Sequence, residues 1–131
     1  MNYLDLSEMH CRSKALYPAA FVRDGTWDRL LATFNRIREA HGSALQVVSG
    51  YRDPVYNAKI GGAKQSQHML GAACDVVPYN GTAAELHTLI LEMHKTGKLP
   101  FLGGLGQYNT FVHFDVRKVS VLAQWKGKQV E

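Results

Sequence analysis

Apolar positions recur with a helical period in two segments of the chain, and the first segment lies between residues 24 and 42. Asp24 or Thr26 can cap its start, and Gly42 can end it. A stripe of this kind is explained by packing against a core and requires no cofactor. The apolar residues that form the stripe are Trp27, Leu30, Leu31, Phe34 and Ile37.

The second helical segment is predicted from Thr82 to Lys95. Thr82 and Glu85 have the spacing of a capping box, in which each side chain bonds the other residue's backbone amide. Gly97 is the predicted end of this helix. The positions expected to face inward are Ala83, Leu86, Leu89, Ile90 and Met93.

Short apolar or alternating runs predict strands at Leu45–Gly50, at Ala73–Val77 and around Phe111–Val116. In the last run, Phe111, His113 and Asp115 share one face, because successive side chains of a strand point to opposite sides. We therefore expect an α+β fold, in which a small antiparallel sheet has helices packed on one side.

Two stretches between these elements show weaker signals. Residues Leu4 to Leu16 are expected to form a short helix or turn that ends before Pro18. Asp53-Pro54 is expected to open a long polar loop that runs to Ser66.

Three side chains form a candidate zinc site: His68, Asp75 and His113. Two imidazoles and one carboxylate are a ligand set that a catalytic zinc takes while it keeps a fourth position for water. His68 and Asp75 are seven residues apart with Gly71 between them, so the chain can bend and bring both side chains to one point. The spacing by itself is a loose pattern, and an isolated histidine is more often a surface or hydrogen-bonded residue.

Several motifs around these residues occur in an order that resembles the zinc D-Ala-D-Ala carboxypeptidase family. That family's signature, SxHxxGxAxD followed by a later His, is shared with vancomycin-resistance dipeptidases and phage L-Ala-D-Glu endopeptidases. The resemblance extends from about Leu6 to Arg117 and does not specify a substrate within the family. The segments that carry it are Ser49-Gly50-Tyr51-Arg52, Asn57, Gly61-Gly62, Ser66 to Asp75 and Phe111 to Asp115.

The resemblance implies that His68, Asp75 and His113 hold a zinc ion, Zn²⁺, which lowers the pKa of a water and polarises the scissile carbonyl. Arg52 would bind a carbonyl or carboxylate of the substrate and stabilise the oxyanion, although a surface salt bridge is the alternative. Ser66 would hydrogen-bond the substrate, and capping of its own loop is the equally weighted alternative. The glycine-rich segment from residue 102 to residue 108 would form the strand before the last ligand.

The sequence departs from the family at the general base. Dipeptidase and endopeptidase relatives carry a Glu three residues before the final His, whereas this chain has Thr110. Asp115 could activate the water as a catalytic residue, or it could orient His113, and the second role is slightly favoured. Tyr108 could stabilise the tetrahedral intermediate as a substrate-binding residue.

Composition adds limits on partners and location. The chain has 131 residues and a formal net charge of +4, and we expect one domain, residues 1–131, that acts as a monomer. The basic residues are scattered and match no nucleic-acid-binding module, so a solvated basic surface is favoured over nucleic-acid binding. No apolar run is long enough to span a membrane. The first residues do not have the order of a secretory signal, so synthesis in the cytoplasm is expected.

These observations predict a zinc metallopeptidase that cuts peptide bonds in peptidoglycan or its stem peptides. D-Ala-D-Ala carboxypeptidase and endolysin-like endopeptidase activity both remain open, and a phage lysis or virion enzyme, released or carried to the wall, is expected. Two other interpretations also remain open. The chain could be a non-catalytic wall-binding or structural module, or its zinc could serve only to hold the fold.

Overall fold

A five-stranded sheet and four α-helices make up the fold in the computed structural model, which describes residues 2–127. Met1 and residues 128–131, which the single-domain prediction includes, lie outside the described residues. The helices are α1 (Ala19–Arg23), α2 (Thr26–His41), α3 (Pro54–Lys59) and α4 (Ala83–Lys95), and two 3-10 helices span Leu6–Met9 and Gln67–Leu70. The strands are β1 (Leu45–Ser49), β2 (Ala73–Pro78), β3 (Gly104–Gln107), β4 (Val112–Asp115) and β5 (Ala123–Lys126).

The strands lie side by side in the order β1-β2-β4-β3-β5. The pairs β1–β2, β2–β4 and β3–β4 are antiparallel, whereas β5 runs parallel to β3. The predicted α+β class is confirmed, and the sheet is mostly antiparallel as expected. The sequence prediction of at least three strands did not include β5.

One face of the sheet packs against α2 and α4 and forms the hydrophobic core. Cys74 and Val76 of β2 and Val112 and Phe114 of β4 are fully buried on this face, because alternate residues of a strand point to the same side. The ring of Phe34 from α2 lies 6.3 Å from that of Phe114. Burial raises the pKa of the Cys74 thiol well above its usual value, which fits a residue that serves as a small hydrophobe.

Both long helices form where the apolar period predicts them. Helix α2 ends at Gly42, whose φ of 79° is the left-handed conformation that favours glycine. Its N-cap is Gly25, and the Asp24 carboxylate accepts a hydrogen bond from the Thr26 amide at 2.9 Å. In α4 the Thr82–Glu85 capping box is present with both of its hydrogen bonds.

The prediction of a loop from Asp53 to Ser66 is wrong for its first part, because residues Pro54–Lys59 form helix α3. The Asp53 carboxylate accepts from the Tyr56 amide at 2.7 Å, and proline at the first helical position has the φ that a helix needs. Helix α1 was also missed. Both helices span less than two turns, so neither displays a repeating apolar stripe that a periodicity criterion could detect.

The N-terminal stretch forms the short helix expected between Leu4 and Leu16. Its 3-10 helix begins after Asp5, which forms a capping box with Glu8. None of the helices in the described part of the chain is both long enough and apolar enough to cross a membrane.

Phe34→Ala is expected to destabilise the protein by about 3–5 kcal/mol, because a large buried ring would be replaced by a cavity. The free energy of unfolding is measured by urea denaturation. The matched control is Val55→Ala, since the Val55 side chain is 79% exposed; it should change stability by less than about 0.5 kcal/mol. Equal losses in the two variants would contradict the assignment of Phe34 to the core.

Candidate active site

The second face of the sheet carries a row of residues that lie opposite one another on all five strands. Across this row, Asp75 pairs with His113, His113 with Gly106, and Gly106 with Trp125. Ser49 of β1 joins the row opposite Asp75, because a bulge after Val47 shifts the register by one residue. The sheet therefore places a carboxylate and an imidazole side by side on neighbouring strands.

His68 reaches this row from the 3-10 helix Gln67–Leu70. The hydroxyl of Ser66 caps that helix by accepting a hydrogen bond from the His68 amide at 3.2 Å. The helix ends at Gly71, whose φ is 66° and whose carbonyl accepts a hydrogen bond from the Tyr17 hydroxyl at 2.7 Å. A Cβ at Gly71 would meet the ring of Tyr17. Glycine is thus needed here for its conformation and for its size.

His68, Asp75 and His113 converge on one point. Asp75 Oδ1 lies 3.2 Å from Nε2 of His68 and 2.9 Å from Nδ1 of His113. One ligand atom from each of the three residues lies within 4.8 Å of the others, and all three side chains are buried. The structure therefore brings together the three residues that the sequence predicts as metal ligands.

The remaining ring nitrogens of the two histidines have partners that determine the tautomers. Nδ1 of His68 lies 2.7 Å from the Gly50 carbonyl oxygen, which can only accept, so Nδ1 donates. Nε2 of His113 donates to Asp115 Oδ2 at 2.7 Å. A neutral imidazole then has its lone pair on the other nitrogen, which faces Asp75 in both cases. Three electron-pair donors facing one another fit a cation, and histidine ligands in metal sites are oriented in this way.

The pKa shifts show that the group attracts positive charge. Burial lowers the pKa of His68, which favours the neutral form that binds metals. Burial also opposes protonation of His113, yet its hydrogen bonds to Asp115 and Asp75 raise its pKa. Burial likewise works against the charge on Asp75, but the two imidazoles lower its pKa. The site is therefore suited to hold a metal ion, and two His and one Asp are a ligand set that zinc takes.

Asp115 is completely buried beneath His113. Its carboxylate accepts from Arg117 Nε at 2.9 Å and from Arg117 Nη2 at 2.8 Å, in addition to His113. Burial raises the pKa of this carboxyl, but the hydrogen bonds from His113 and Arg117 outweigh it and lower the pKa to about 2. A Cβ on Gly104, which lies opposite on β3, would overlap the Asp115 carboxylate. The glycine-rich strand thus provides the space in which this ion pair forms.

Trp125 covers His113 on the side away from Asp75. Its ring centroid lies 4.9 Å from that of His113, and its indole Nε1 donates to the Tyr108 hydroxyl at 3.0 Å. The indole passes over Gly106, where a Cβ would collide with it. The Arg117 guanidinium lies 5.2 Å from the centre of the Trp125 ring. Trp125 therefore fixes the orientation of both His113 and Tyr108.

Arg52 approaches the metal group from the end of β1. Its Nε donates to Ser49 Oγ at 3.1 Å, its Nη1 donates to Asn57 Oδ1 at 3.3 Å, and its Nη2 lies 3.5 Å from Asp75 Oδ2. Asn57 in turn donates to the Ala63 carbonyl oxygen at 2.8 Å. The guanidinium is therefore held in place by a buried network, so Arg52 is not a surface residue with a salt bridge.

A cleft of about 430 Å³ opens above the metal group. Its described lining residues include Arg52, Ser66 and Tyr108, but no Asp or Glu. Asp115 lies below this surface, and Thr110 is exposed outside it. The full set of described lining residues is Arg52, Gly61, Gly62, Ala63, Gln65, Ser66, Gln67, His68, Tyr108, His113, Arg117 and Trp125.

Sequence reasoning missed Arg117 and Trp125. Arg117 follows Asp115 by two residues, and the alternation of a strand would place both on one face, so this contact was detectable as a local pattern. Trp125 is separated from His113 by a loop and reaches it only through the pairing of β5 with β3. No local pattern in the sequence reports that pairing.

Comparison with known families agrees with this geometry. The family model described as Peptidase M15 matches residues 2–115. The chain therefore belongs to the M15 family of zinc D-Ala-D-Ala carboxypeptidases, and it is a metallopeptidase, a hydrolase whose family acts on peptides. The resemblance inferred from the motifs is thereby confirmed. A search of curated proteins found no match.

Asp115→Asn is expected to weaken zinc binding by about 10–100-fold, because loss of a partner that orients a metal-binding histidine has effects of this size. Affinity is measured by competition with a chromophoric zinc chelator, and circular dichroism checks the fold. The control is Asp28→Asn on the exposed side of α2. Unchanged zinc affinity in Asp115→Asn would show that this carboxylate does not support His113.

Gly104→Ala is expected to lower stability by about 1–3 kcal/mol, because the added methyl group would force the buried Asp115 carboxylate out of place. The measurement is the midpoint of urea unfolding. Gly97→Ala is the control: its Cβ would meet nothing within 4 Å, so only its positive φ of 76° opposes the change. A smaller loss at Gly104 than at Gly97 would contradict the expected overlap.

Proposed function

We propose that this protein is a zinc peptidase that hydrolyses peptide bonds in the stem peptides of bacterial peptidoglycan. Both a D-Ala-D-Ala carboxypeptidase and an endolysin-like endopeptidase are consistent with the site. The observation that carries the proposal is the convergence of His68, Asp75 and His113 at the base of an open cleft in a chain of the M15 family. A metal that only held the fold would not need an open cleft above it.

A zinc ion held by His68, Asp75 and His113 would supply a Lewis acid that polarises the scissile carbonyl and lowers the pKa of the attacking water. Arg52 supplies fixed positive charge beside this point. Because Ser49, Asn57 and Asp75 hold its guanidinium, Arg52 loses little freedom when it binds the substrate carbonyl or carboxylate. Positive charge placed in advance where negative charge develops stabilises the transition state.

Two hydroxyl groups in the cleft can bind the substrate. Tyr108 accepts a hydrogen bond from Trp125, so its own O–H proton is available to a substrate oxygen. Ser66 accepts from the His68 amide, and its O–H is available in the same way. Ser66 thus caps its loop and lines the cleft at once, so the two roles considered for it are compatible. We propose both residues as substrate-binding groups.

We propose Asp115 as a positioning residue rather than the general base. A base must reach the water that it deprotonates, but Asp115 is fully buried and absent from the lining of the cleft. Both of its oxygens accept hydrogen bonds, from His113 and from Arg117. The carboxylate therefore acts on the reaction through the orientation of His113.

We further propose that the protein acts as a monomer on the cell wall, in phage lysis or as part of a virion. The formal net charge of +4 supports this proposal, because a basic surface favours association with an anionic polymer. The scattered distribution of the basic residues along the chain favours a diffuse attraction of this kind over binding to a nucleic acid.

A second candidate function is a non-catalytic module that binds the wall through the same cleft. One observation favours it: the position of the catalytic Glu in dipeptidase relatives is held by Thr110, which is exposed outside the cleft. Such a module would sediment with cell walls and release no amino groups from them.

The proposed activity predicts one zinc per chain and release of amino groups from purified peptidoglycan, both of which are lost in His68→Ala. Zinc is measured by elemental analysis and amines by a colorimetric assay. The control is His87→Ala, which changes a half-buried histidine of α4. The loss is expected because the proposed site has three protein ligands among the described residues, and His68 is one of them.

Zinc bound without cleavage of peptidoglycan or of D-Ala-D-Ala peptides would reject the activity and favour the binding module. Removal of zinc with a chelator distinguishes a catalytic zinc from a zinc that only holds the fold. A catalytic zinc predicts lost cleavage with the fold largely kept, whereas a purely structural zinc predicts unfolding on chelation.

A further inference from the structure

A second cavity adjoins the cleft on the far side of Arg117. Its volume is about 640 Å³, and it lies between the first turn of α2 and the segment that follows β4. Arg117 lines both the cleft and this cavity. A ligand that reaches from the cleft into the second cavity would therefore pass along the Arg117 side chain. Its described lining residues are Arg29, Pro100, Phe101, Leu102, Val116, Arg117, Lys118, Val119 and Ser120.

Three cations line this cavity, and no Asp or Glu is among its described lining residues. The charge of Arg117 is matched by Asp115 beneath it. Arg29 and Lys118 have no carboxylate at salt-bridge distance in the described part of the chain. The Asp24 carboxylate accepts hydrogen bonds from Thr26, which lower its pKa, and the nearby charges of Arg29 and Lys118 lower it further. Asp24 is absent from the lining of this cavity but lines a neighbouring cavity together with Arg29 and Lys118, so its charge offsets theirs in part.

The protein leaves the Arg29 guanidinium with few partners. Its one hydrogen bond within the described structure, from Nη2 to Thr26 Oγ1, is long at 3.4 Å. Its Nε is buried and has no hydrogen-bond partner. A guanidinium has five N–H donors in a planar arrangement that matches the two oxygens of a carboxylate. Arg29 therefore has N–H donors without a partner in the described structure that could bind an anionic ligand.

The rim of the cavity is apolar. Phe101 is 43% exposed and Val119 is 50% exposed, and Pro100 lines the cavity with them. Exposed apolar side chains beside Arg29 and Lys118, which form no salt bridge within the described residues, favour a ligand with a hydrocarbon part next to its charge. A peptide that carries a carboxylate on a short side chain has this character, whereas a free inorganic anion would leave the apolar rim uncovered.

We propose that this cavity is a specificity subsite that binds a carboxylate of the peptide substrate, through Arg29 and Lys118. This inference rests on the proposed function, because it assumes that a peptide lies in the adjoining cleft. The cleft alone holds only a short piece of peptide. The rest of the peptide then lies outside the cleft, where the second cavity can bind it. The subsite selects peptides in which the carboxylate at this position is free rather than amidated.

The test compares two fluorescein-labelled stem peptides that differ in a single group. Both have the order L-Ala, γ-linked D-Glu, L-Lys, D-Ala and D-Ala, and the D-Glu α-carboxylate is either free or amidated. The scissile amide of both peptides is N-methylated to prevent cleavage, and binding to the zinc-loaded full chain is followed by fluorescence anisotropy. We expect the wild type to bind the free acid about tenfold more tightly, as charge-assisted hydrogen bonds favour the ionised ligand.

The decisive variant is Arg29→Gln with Lys118→Gln, in which the preference for the free acid should fall to about twofold or less. The matched control is Lys95→Gln with Lys98→Gln, which removes the same charge from exposed positions near the end of α4 and should keep the preference. Lys118→Gln alone changes an exposed side chain and should give a partial loss, so the test does not depend on how the double variant folds.

Equal affinity of the wild type for the two peptides would overturn the subsite, and so would an unchanged preference in the double variant. A hydrolysis assay of the unmethylated peptides with zinc present distinguishes failure of the subsite from failure of the proposed peptidase activity. If both peptides are cleaved equally well by wild type and double variant, the peptidase activity stands and the subsite is rejected. If neither is cleaved but the preference in binding depends on Arg29 and Lys118, the subsite stands without the proposed activity.

Discussion

The position of His113 between two carboxylates is the constraint on which the site depends. One ring nitrogen faces Asp75 at 2.9 Å and the other donates to Asp115 at 2.7 Å. Asp115 thereby directs the lone pair of the imidazole toward the metal group. Because the ring is held at both ends and covered by Trp125, it has little freedom to turn away. Orientation of this kind lets a buried group bind a metal without reorganisation.

The sheet around His113 is built to allow this arrangement. Buried carboxylates and an indole ring need space on the site face, and glycines on β3 supply it. Gly104 lies opposite Asp115, and Gly106 lies between His113 and Trp125. A side chain at either glycine would collide with the group that it faces. The low β-propensity of glycine is a cost to the strand, and the pairing of β3 with both of its neighbours offsets it.

Charge is balanced in the buried part of the site and unbalanced around it. Asp75 lies near Arg52, and Asp115 forms a salt bridge with Arg117. Each buried carboxylate thus has a cation, which lowers the cost of its desolvation. Arg29 and Lys118, which form no salt bridge within the described residues, line the surface beyond Arg117. A substrate that carries negative charge would meet complementary charge along this surface.

Local patterns in the sequence determined the two long helices, the central strands and the candidate metal group. The helical period determined α2 and α4, the alternation in β4 placed His113 and Asp115 on one face, and the Gly71 turn allowed His68 and Asp75 to meet. These features depend on residues close together in the chain, where sterics and side-chain direction act directly.

Only the tertiary structure decided how distant segments complete the site. Trp125 reaches His113 because β5 pairs in parallel with β3, and Arg29 shares a cavity with Lys118 because α2 packs beside the segment after β4. The short helix α3 places Asn57 against Arg52. Such contacts depend on which elements pack against one another. The pattern of apolar positions shows which residues of an element are buried, but it does not show which other element covers them.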